Sequence, residues 1–138
     1  MKKSREWLTL FLLGINWLCR MWKIQPTDRW DRDQRHYVKK HPDELAAVMR
    51  NLGRYLDLLK NAKNPMDVRA GFLHPEGNGI LAIDQKGSRG NLQETRLYTF
   101  ADRDNCIVYL IAIGNKDSQQ CDLQLSRRFV ASLKQETD

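Results

Sequence analysis

The pattern of hydrophobic and polar residues is clearest in the last third of the chain, where it predicts a β-hairpin. Residues 94–100 alternate between two sides with the period of a strand. The polar residues 102–105 supply side chains typical of a hairpin turn. Residues 106–113 are almost wholly apolar and rich in β-branched side chains, which favours a central strand buried on both faces. Arg96 lies near the start of this hairpin and Lys116 follows its end, so each end carries a basic residue.

Three other segments have the spacing of helices. The first begins after Thr27 or Asp28, either of which suits a helix N-cap. Pro42 opens the second, whose apolar residues recur at helical spacing over 45–59 and are expected to cover the sheet. The third spans residues 123–133 and closes the fold.

Shorter apolar runs supply the remaining strands. Residues 22–25 form a short strand, residues 68–72 alternate as a strand does, and residues 80–83 are a further apolar run. Residues 84–91 then form a loop with two cations among glycines, and it matches no phosphate-binding glycine motif. The order predicts an α+β fold in which an antiparallel sheet of about four strands packs against an N-terminal helical pair, with a C-terminal helix.

The first 20 residues form a separate segment. Three basic residues precede an apolar run, 7–18, that matches the core of a signal peptide but is shorter than the about 20 residues of a membrane span. No small-residue cleavage site follows. Three interpretations stay open: a docking helix, a weak membrane-surface anchor, or sequence translated ahead of a natural start at Met21. We expect a helical extension over residues 1–20 and one domain over residues 21–138.

The composition and charge of the chain indicate what kind of protein it is and what kind of partner it binds. The chain has 138 residues, 41% hydrophobic and 29% charged, as in an ordinary globular domain. Its net charge of +6 favours an acidic or polyanionic partner. The cysteines are odd in number and form no Cys-x-x-Cys pair, which favours free thiols in a reducing cytoplasm, and neither a metal nor another cofactor is expected. They are Cys19, Cys106 and Cys121.

At this point the chain resembles a known family. The helical pair, the Arg-Leu-Tyr-Thr-Phe strand, the Cys-Ile-Val-Tyr-Leu-Ile-Ala-Ile-Gly strand and the Asn-Lys-Asp after it are similar to the RelE/ParE superfamily of bacterial toxin–antitoxin toxins, over about residues 22–133. The resemblance implies a cytoplasmic toxin that cleaves messenger RNA on the ribosome and is held inactive by a cognate antitoxin, without stable membrane association. Two alternatives stay open: a ParE-like inhibitor of DNA gyrase without a catalytic centre, and an inactive RelE-fold binding module.

The resemblance also assigns roles to basic residues. Arg96 matches the strand arginine of the family, which binds phosphate and stabilises the transition state. Lys116 matches the basic position after the last strand, and Lys86 is the third candidate for a catalytic cation. Arg89 and Arg69 are the candidates for RNA binding. Cations of this kind stabilise the charge that builds on phosphoryl oxygens when a 2′-hydroxyl attacks the adjacent phosphate.

One departure from the family affects the mechanism. The tyrosine that RelE-type enzymes place a few residues after the last basic position is absent, and residues 120–122 are Gln, Cys and Asp. Tyr98 and His74 are the alternatives for the proton-transfer role of that tyrosine. The basic residues also have purely structural interpretations, in which Arg96 pairs with Glu94 or another carboxylate and the cations of the loop are simply solvated.

Overall fold

A five-stranded sheet lies between a pair of helices and a single C-terminal helix in the computed structural model, which describes residues 21–137. The extension expected over residues 1–20 lies outside the described residues. In chain order the elements are β1 (Lys23–Pro26), α1 (Asp28–Lys40), α2 (Pro42–Lys60), a 3-10 turn (Pro65–Asp67), β2 (Leu73–Pro75), β3 (Ile80–Ile83), β4 (Thr95–Asp102), β5 (Ile107–Asn115) and α3 (Gln119–Thr137).

The strand order β1-β5-β4-β3-β2 confirms an α+β fold whose sheet is mostly antiparallel. Strands β2 to β5 form a continuous antiparallel meander. Strand β1 differs from the prediction of an antiparallel sheet, because it pairs in parallel with β5, with Lys23 opposite Ile107. A parallel pair requires a crossover connection, and here both N-terminal helices and three strands lie between the two partners.

The strand predicted at residues 68–72 is wrong. The 3-10 turn starts after Asn64, whose side-chain oxygen accepts a hydrogen bond from the Met66 amide, and β2 begins only at Leu73. Val68 is buried in the core under the helical pair, and the two alternate apolar residues after it pack there while partly buried. Alternation therefore indicated an extended segment that packs against the core. Only its last residue joins the edge of the sheet, since the Phe72 carbonyl oxygen accepts a hydrogen bond from the Asp84 amide at 2.9 Å.

Both faces of the sheet are covered by helices. The helical pair packs on one face through Val48, Leu52 and Tyr55 of α2, and β3 contributes Leu81 and Ile83 to that core. The other face meets α3, with residues Ile80, Ala82, Tyr98, Ile111, Ala112 and Val130 in contact. Strand β3 is apolar at every position because it is buried on both sides.

A β-bulge in β5 adjusts which residues face which helix. Tyr98 of β4 pairs with Ala112 and Thr99 pairs with Leu110, so Ile111 is an extra residue on β5. Ile111 and Ala112 both pack against α3, whereas Leu110 packs against the helical pair.

Thr27 ties this bulge to the start of α1. Its hydroxyl oxygen accepts a hydrogen bond from the Trp30 amide at 3.1 Å, which confirms the predicted N-cap. The same hydroxyl donates to the carbonyl oxygen of Ile111 at 2.9 Å. One side chain therefore satisfies both a helix end and the carbonyl that the bulge leaves outside the ladder.

The two cysteines of the described residues differ, and the free thiol expected at Cys19 lies outside them. Cys121 is free and exposed, as expected. Cys106 is disulfide-bonded, so the expectation of free thiols is wrong for this residue. Cys106 also precedes β5 with a positive φ of 54°, at the end of the hairpin turn, and is only half-buried, so it is not the first core residue of the strand.

The described helices are those of a domain with an internal core. Each of α1 and α2 buries one side, and α1 contributes Trp30 and Tyr37 to the core. Between residues 21 and 137, no helix combines the length and the hydrophobicity needed to cross a membrane.

Candidate functional site

The three candidate catalytic residues lie at one end of the sheet. Strand β3 ends shortly before Lys86, β4 begins with Thr95 and Arg96, and β5 ends at Asn115, one residue before Lys116. Because these three strands are antiparallel neighbours, with Thr95 opposite Asn115, their ends coincide. We call this end, with the side chains of Lys86, Arg96 and Lys116, the basic end of the sheet.

Arg96 is held by two carboxylates. Its Nη1 donates to Glu76 Oε1 at 3.0 Å, and its Nη2 lies 3.4 Å from Glu94 Oε1. The Arg96 side chain is 19% exposed, and within residues 21–137 its buried Nε has no hydrogen-bond partner. The pairing with Glu94 agrees with the structural interpretation of the sequence, and two acidic neighbours offset the guanidinium charge.

The Arg96–Glu76 pair crosses the sheet above β3. Arg96 lies on β4 and Glu76 directly follows β2, so these residues are on opposite sides of β3. Ala82 of β3 pairs with Tyr98 on one side and with His74 on the other, and it faces the same side of the sheet as α3. Its small side chain leaves room for the two long side chains to meet.

Tyr98 lies beneath this ion pair and is fully buried. Its hydroxyl has no hydrogen-bond partner within the described part of the chain. Burial raises the pKa of Tyr98 well above its ordinary value, the charge of Asp122 raises it further, and Arg96 opposes both. The phenol therefore stays protonated at neutral pH, which disfavours Tyr98 as a general base.

His74 and Lys86 converge on one buried carboxylate. Asp84 follows β3 with its side chain 3% exposed, and its Oδ2 lies 2.6 Å from His74 Nε2 and 3.5 Å from Lys86 Nζ. Its Oδ1 accepts the backbone amide of Lys86 at 2.7 Å. Asn51 of α2 donates to the carbonyl oxygens of Asp84 and Lys86 at 2.8 and 2.9 Å. The first part of the loop is therefore anchored to the helical pair.

Sequence reasoning named His74 and Lys86 but missed the residues that hold them. Asp84 had a local signal, because it directly follows four apolar residues of a strand and a carboxylate in that position is buried only with partners. Asn51 interrupts the apolar stripe of α2 between Val48 and Leu52 and is 1% exposed. A polar residue inside such a stripe indicates a buried hydrogen bond.

Asp122 lies in the region where the resemblance to RelE-type enzymes predicts a tyrosine. Asp122 of α3 is 2% exposed, and its Oδ2 accepts a hydrogen bond from the Ser118 hydroxyl at 2.7 Å. Burial raises the pKa of the Asp122 carboxyl, and the Ser118 hydrogen bond partly opposes this rise. Asp122 packs directly over Gly114 of β5, where a side chain has no room. This part of α3 is therefore structural in character.

The two candidate RNA-binding residues are separated. Arg89 is exposed in the loop that carries Lys86, and it borders a groove of about 510 Å³ between that loop and the start of α2. Arg69 donates to the carbonyl oxygens of Met66 and Val68, and it borders a cavity shared with Phe100. Phe100 lies towards the other end of β4, so Arg89 belongs near the basic end and Arg69 does not.

No protein-family model, curated protein or solved structure matches this sequence. Residues 21–137 contain no group of three or more His, Cys, Asp or Glu side chains placed to hold a metal ion. The basic end of the sheet and the His74–Asp84 pair beside it are therefore interpreted from their own chemistry.

Proposed function

We propose that this protein is the toxin of a bacterial toxin–antitoxin system, a RelE-like endoribonuclease that cuts messenger RNA on the ribosome and so stops translation. The observation that supports this proposal is that Lys86, Arg96 and Lys116 lie at the same end of the sheet, on or just after three adjacent strands. Clustered cations are what cleavage of a phosphodiester requires, since negative charge grows on the phosphoryl oxygens.

The two lysines are the cations that RNA can reach. The Lys86 side chain is 62% exposed, and Lys116 is exposed with no carboxylate of residues 21–137 at salt-bridge distance. Arg96 is different, because a phosphate that replaced Glu76 would leave a mostly buried carboxylate without its partner, at a large cost. In this proposal the lysines contact the phosphate, and Arg96 shapes the surface between them and supplies positive potential.

An antitoxin is the second partner of the proposed toxin. The helical pair exposes Val38 of α1 and Met49 and Leu58 of α2, at 53%, 38% and 42% of their surface. Apolar residues of this kind suit a disordered partner segment that folds on binding. The net charge of +6 favours an acidic segment.

The ion pairs of Arg96 favour a second candidate. If Glu76 and Glu94 permanently occupy the guanidinium, the basic end acts as a binding surface without a catalytic centre, as in a ParE-like inhibitor of DNA gyrase or an inactive binding module. The fold serves both functions, so an activity assay has to separate them.

The test is induced expression in bacteria, with growth and messenger-RNA 5′ ends recorded together. The informative variant combines Lys86→Ala and Lys116→Ala, because both side chains are exposed and their loss leaves the core intact. Its matched control combines Lys39→Ala and Lys63→Ala, which remove the same charge from exposed positions elsewhere.

The nuclease proposal expects growth arrest and ribosome-phased cuts from the wild type and from the control, and neither from the informative variant. Arrest with intact messages and damaged DNA would replace it with gyrase inhibition. Cuts that persist at full level in the informative variant would show that these lysines do not carry the reaction.

A further inference from the structure

His74 and Asp84 form a second chemical feature beside the basic end. The geometry points to His74 as the general base of RNA cleavage, with Asp84 as its positioning residue and Lys86 as the acid for the leaving group. This inference rests on the proposed endoribonuclease function and names its reacting groups. It starts from one short contact, 2.6 Å between His74 Nε2 and Asp84 Oδ2.

The hydrogen bonds of Asp84 fix which imidazole nitrogen is free. Its Oδ1 receives the Lys86 amide, and its Oδ2 lies close to the Lys86 ammonium, so both carboxylate oxygens face donors. An ionised carboxylate accepts such bonds and has no proton of its own to donate. The hydrogen in the His74–Asp84 bond therefore belongs to Nε2 of His74, and Nδ1 keeps a lone pair with which to accept a proton.

The exposed fraction of the side chain increases from Asp84 to His74 to Lys86, which matches a buried positioning residue and two groups that substrate can reach. The Asp84 side chain is 3% exposed, that of His74 is 26% exposed, and that of Lys86 is 62% exposed. A substrate can reach His74 and Lys86, whereas Asp84 stays shielded from solvent beneath them. Asn51 holds the backbone of Asp84 and Lys86 to α2, so the pair rests on a rigid support.

The charged groups near His74 come from three elements. Asp84 follows β3, Lys86 lies in the next loop, and the Arg96–Glu76 pair crosses above Ala82, the strand partner of His74. The proposed base therefore lies among charged groups of both signs, with Asp84 in direct contact and Lys86 on the same carboxylate oxygen.

The proposed step balances with RNA as the only reactant. The 2′-oxygen forms a bond to phosphorus and gives its proton to His74 Nδ1, while the bond from phosphorus to the 5′-oxygen breaks. The Lys86 ammonium gives a proton to that leaving 5′-oxygen. The products are a 2′,3′-cyclic phosphate and a 5′-hydroxyl, and transfer of the proton from His74 to Lys86 through water restores the enzyme.

Lys86 is close enough to share this step with His74. Both side chains contact the same oxygen of Asp84, at 2.6 Å for the imidazole and 3.5 Å for the ammonium. His74 Nε2 and Lys86 Nζ are therefore separated by no more than the sum of these two distances. Nδ1 belongs to the same imidazole ring, so one phosphodiester can span Nδ1 and the ammonium. A base and an acid on either side of the phosphorus are what in-line cleavage uses.

The experiment mixes the purified full chain with ribosomes that present messenger RNA in the A site. It measures the single-turnover rate at which the protein cleaves that RNA, and mass spectrometry identifies the product ends. His74→Gln is the main variant, because its amide still donates to Asp84 but takes up no proton at neutral pH. His36→Gln makes the same substitution at an exposed position on α1 and serves as the control. Unfolding midpoints of all three proteins are measured in parallel.

We expect cyclic phosphate ends from the wild type and the control, and a rate at least about 100-fold lower for His74→Gln. Imidazole in the buffer restores cleavage to His74→Ala, because a neutral imidazole from solution can take the proton that His74 accepts in the wild type. Asp84→Asn slows cleavage and changes the pH–rate profile of the wild-type reaction, which a purely structural role would leave in place.

The outcomes separate the two proposals. Wild-type cleavage together with an unchanged rate in a folded His74→Gln protein would overturn the assignment of His74 and leave the endoribonuclease function standing. Intact RNA with the wild type would overturn the function itself. If His74→Gln fails to fold, imidazole rescue of His74→Ala decides: a rescued rate supports the assignment, and an absence of rescue in folded protein contradicts it.

Discussion

Gly114→Ala adds only one methyl group, and we expect it to destabilise the fold strongly. This glycine lies in β5 directly beneath the first turn of α3. A methyl group built on it would lie 2.0 Å from Asp122 Oδ2 and 2.2 Å from Ser118 Oγ, far inside the 3.0 Å that real Cβ atoms keep from their neighbours. Gly114→Ala therefore forces the Ser118 and Asp122 side chains out of their positions between α3 and β5.

The expected loss in the free energy of unfolding follows from the contacts that the methyl group displaces. The Ser118 hydroxyl donates to Asp122 at 2.7 Å, and loss of a hydrogen bond to a charged, buried group costs about 1.5–3 kcal/mol. Overpacking at a site where nearby backbone must shift costs a further about 1–3 kcal/mol. Together these terms lower the free energy of unfolding by about 2.5–6 kcal/mol, a large share of the roughly 5–15 kcal/mol by which a typical domain is stable.

Gly53→Ala is the matched control. Gly53 lies inside α2, is exposed, and has no atom within 4 Å of the position that a methyl group would take. Alanine is preferred over glycine inside a helix by about 0.5–1 kcal/mol, so this variant should gain stability. The same chemical change is thus expected to act in opposite directions at two positions.

Urea denaturation followed by circular dichroism measures both effects, with the slope of the transition checked to be constant. A Gly114→Ala protein that unfolds within about 0.5 kcal/mol of the wild type would refute the packing of α3 on β5 described above. So would a loss of stability in Gly53→Ala as large as that in Gly114→Ala.

Three further predictions concern stability. Thr27→Ala removes both the N-cap of α1 and the donor to Ile111, and should lower the free energy of unfolding by about 1–2 kcal/mol in urea denaturation; an unchanged midpoint would contradict the double role of its hydroxyl. Arg96→Ala should cost about 2–3 kcal/mol, because it strands the mostly buried Glu76, whereas Lys60→Ala, from an exposed ion pair, should cost less than about 0.5 kcal/mol; equal costs would contradict this contrast. Burial raises the folded-state pKa of Asp122 above its ordinary value of 3.8, so the folded state holds this proton more tightly than the unfolded state does. The stability from this proton is full below the unfolded-state value and is lost as pH rises through the folded-state pKa, so Asp122→Asn should gain stability relative to the wild type between acidic and neutral pH; a difference independent of pH would refute the shift.

Most of the fold could be predicted because its signals are local. Thr27 marked the start of α1, Pro42 the start of α2, and the polar turn after β4 the hairpin. The parallel place of β1 had no local signal, because its partner lies 84 residues away along the chain, as the Thr27–Ile111 bond shows. Pairing over such a separation is set by how the helices fill the space between the strands.

The candidate site could be predicted only in part, for the same reason. Lys86, Arg96 and Lys116 were candidates because of the toxin-family resemblance proposed from the sequence, and the antiparallel register places them at one end of the sheet. The acidic partners Glu76 and Asp84 could not be paired with their cations from the sequence. The Arg96–Glu76 and His74–Asp84 contacts cross between strands, so they depend on a register that spacing along the chain does not encode. Lys86 is only two residues from Asp84, but the burial of Asp84 beside it depends on the same strands.

The two edges of the sheet determine how another chain can attach to this protein. Strand β1 has four residues and β2 has three, and each ends in a proline, Pro26 or Pro75, which has no amide hydrogen to offer a further strand. Strand addition, and with it edge-to-edge aggregation, therefore finds little backbone to pair with. Within residues 21–137, a partner has to bind instead through the helices or through the loops at the ends of the sheet. Hydrogen exchange at the amides of β1 and β2 should accordingly stay the same when a partner binds.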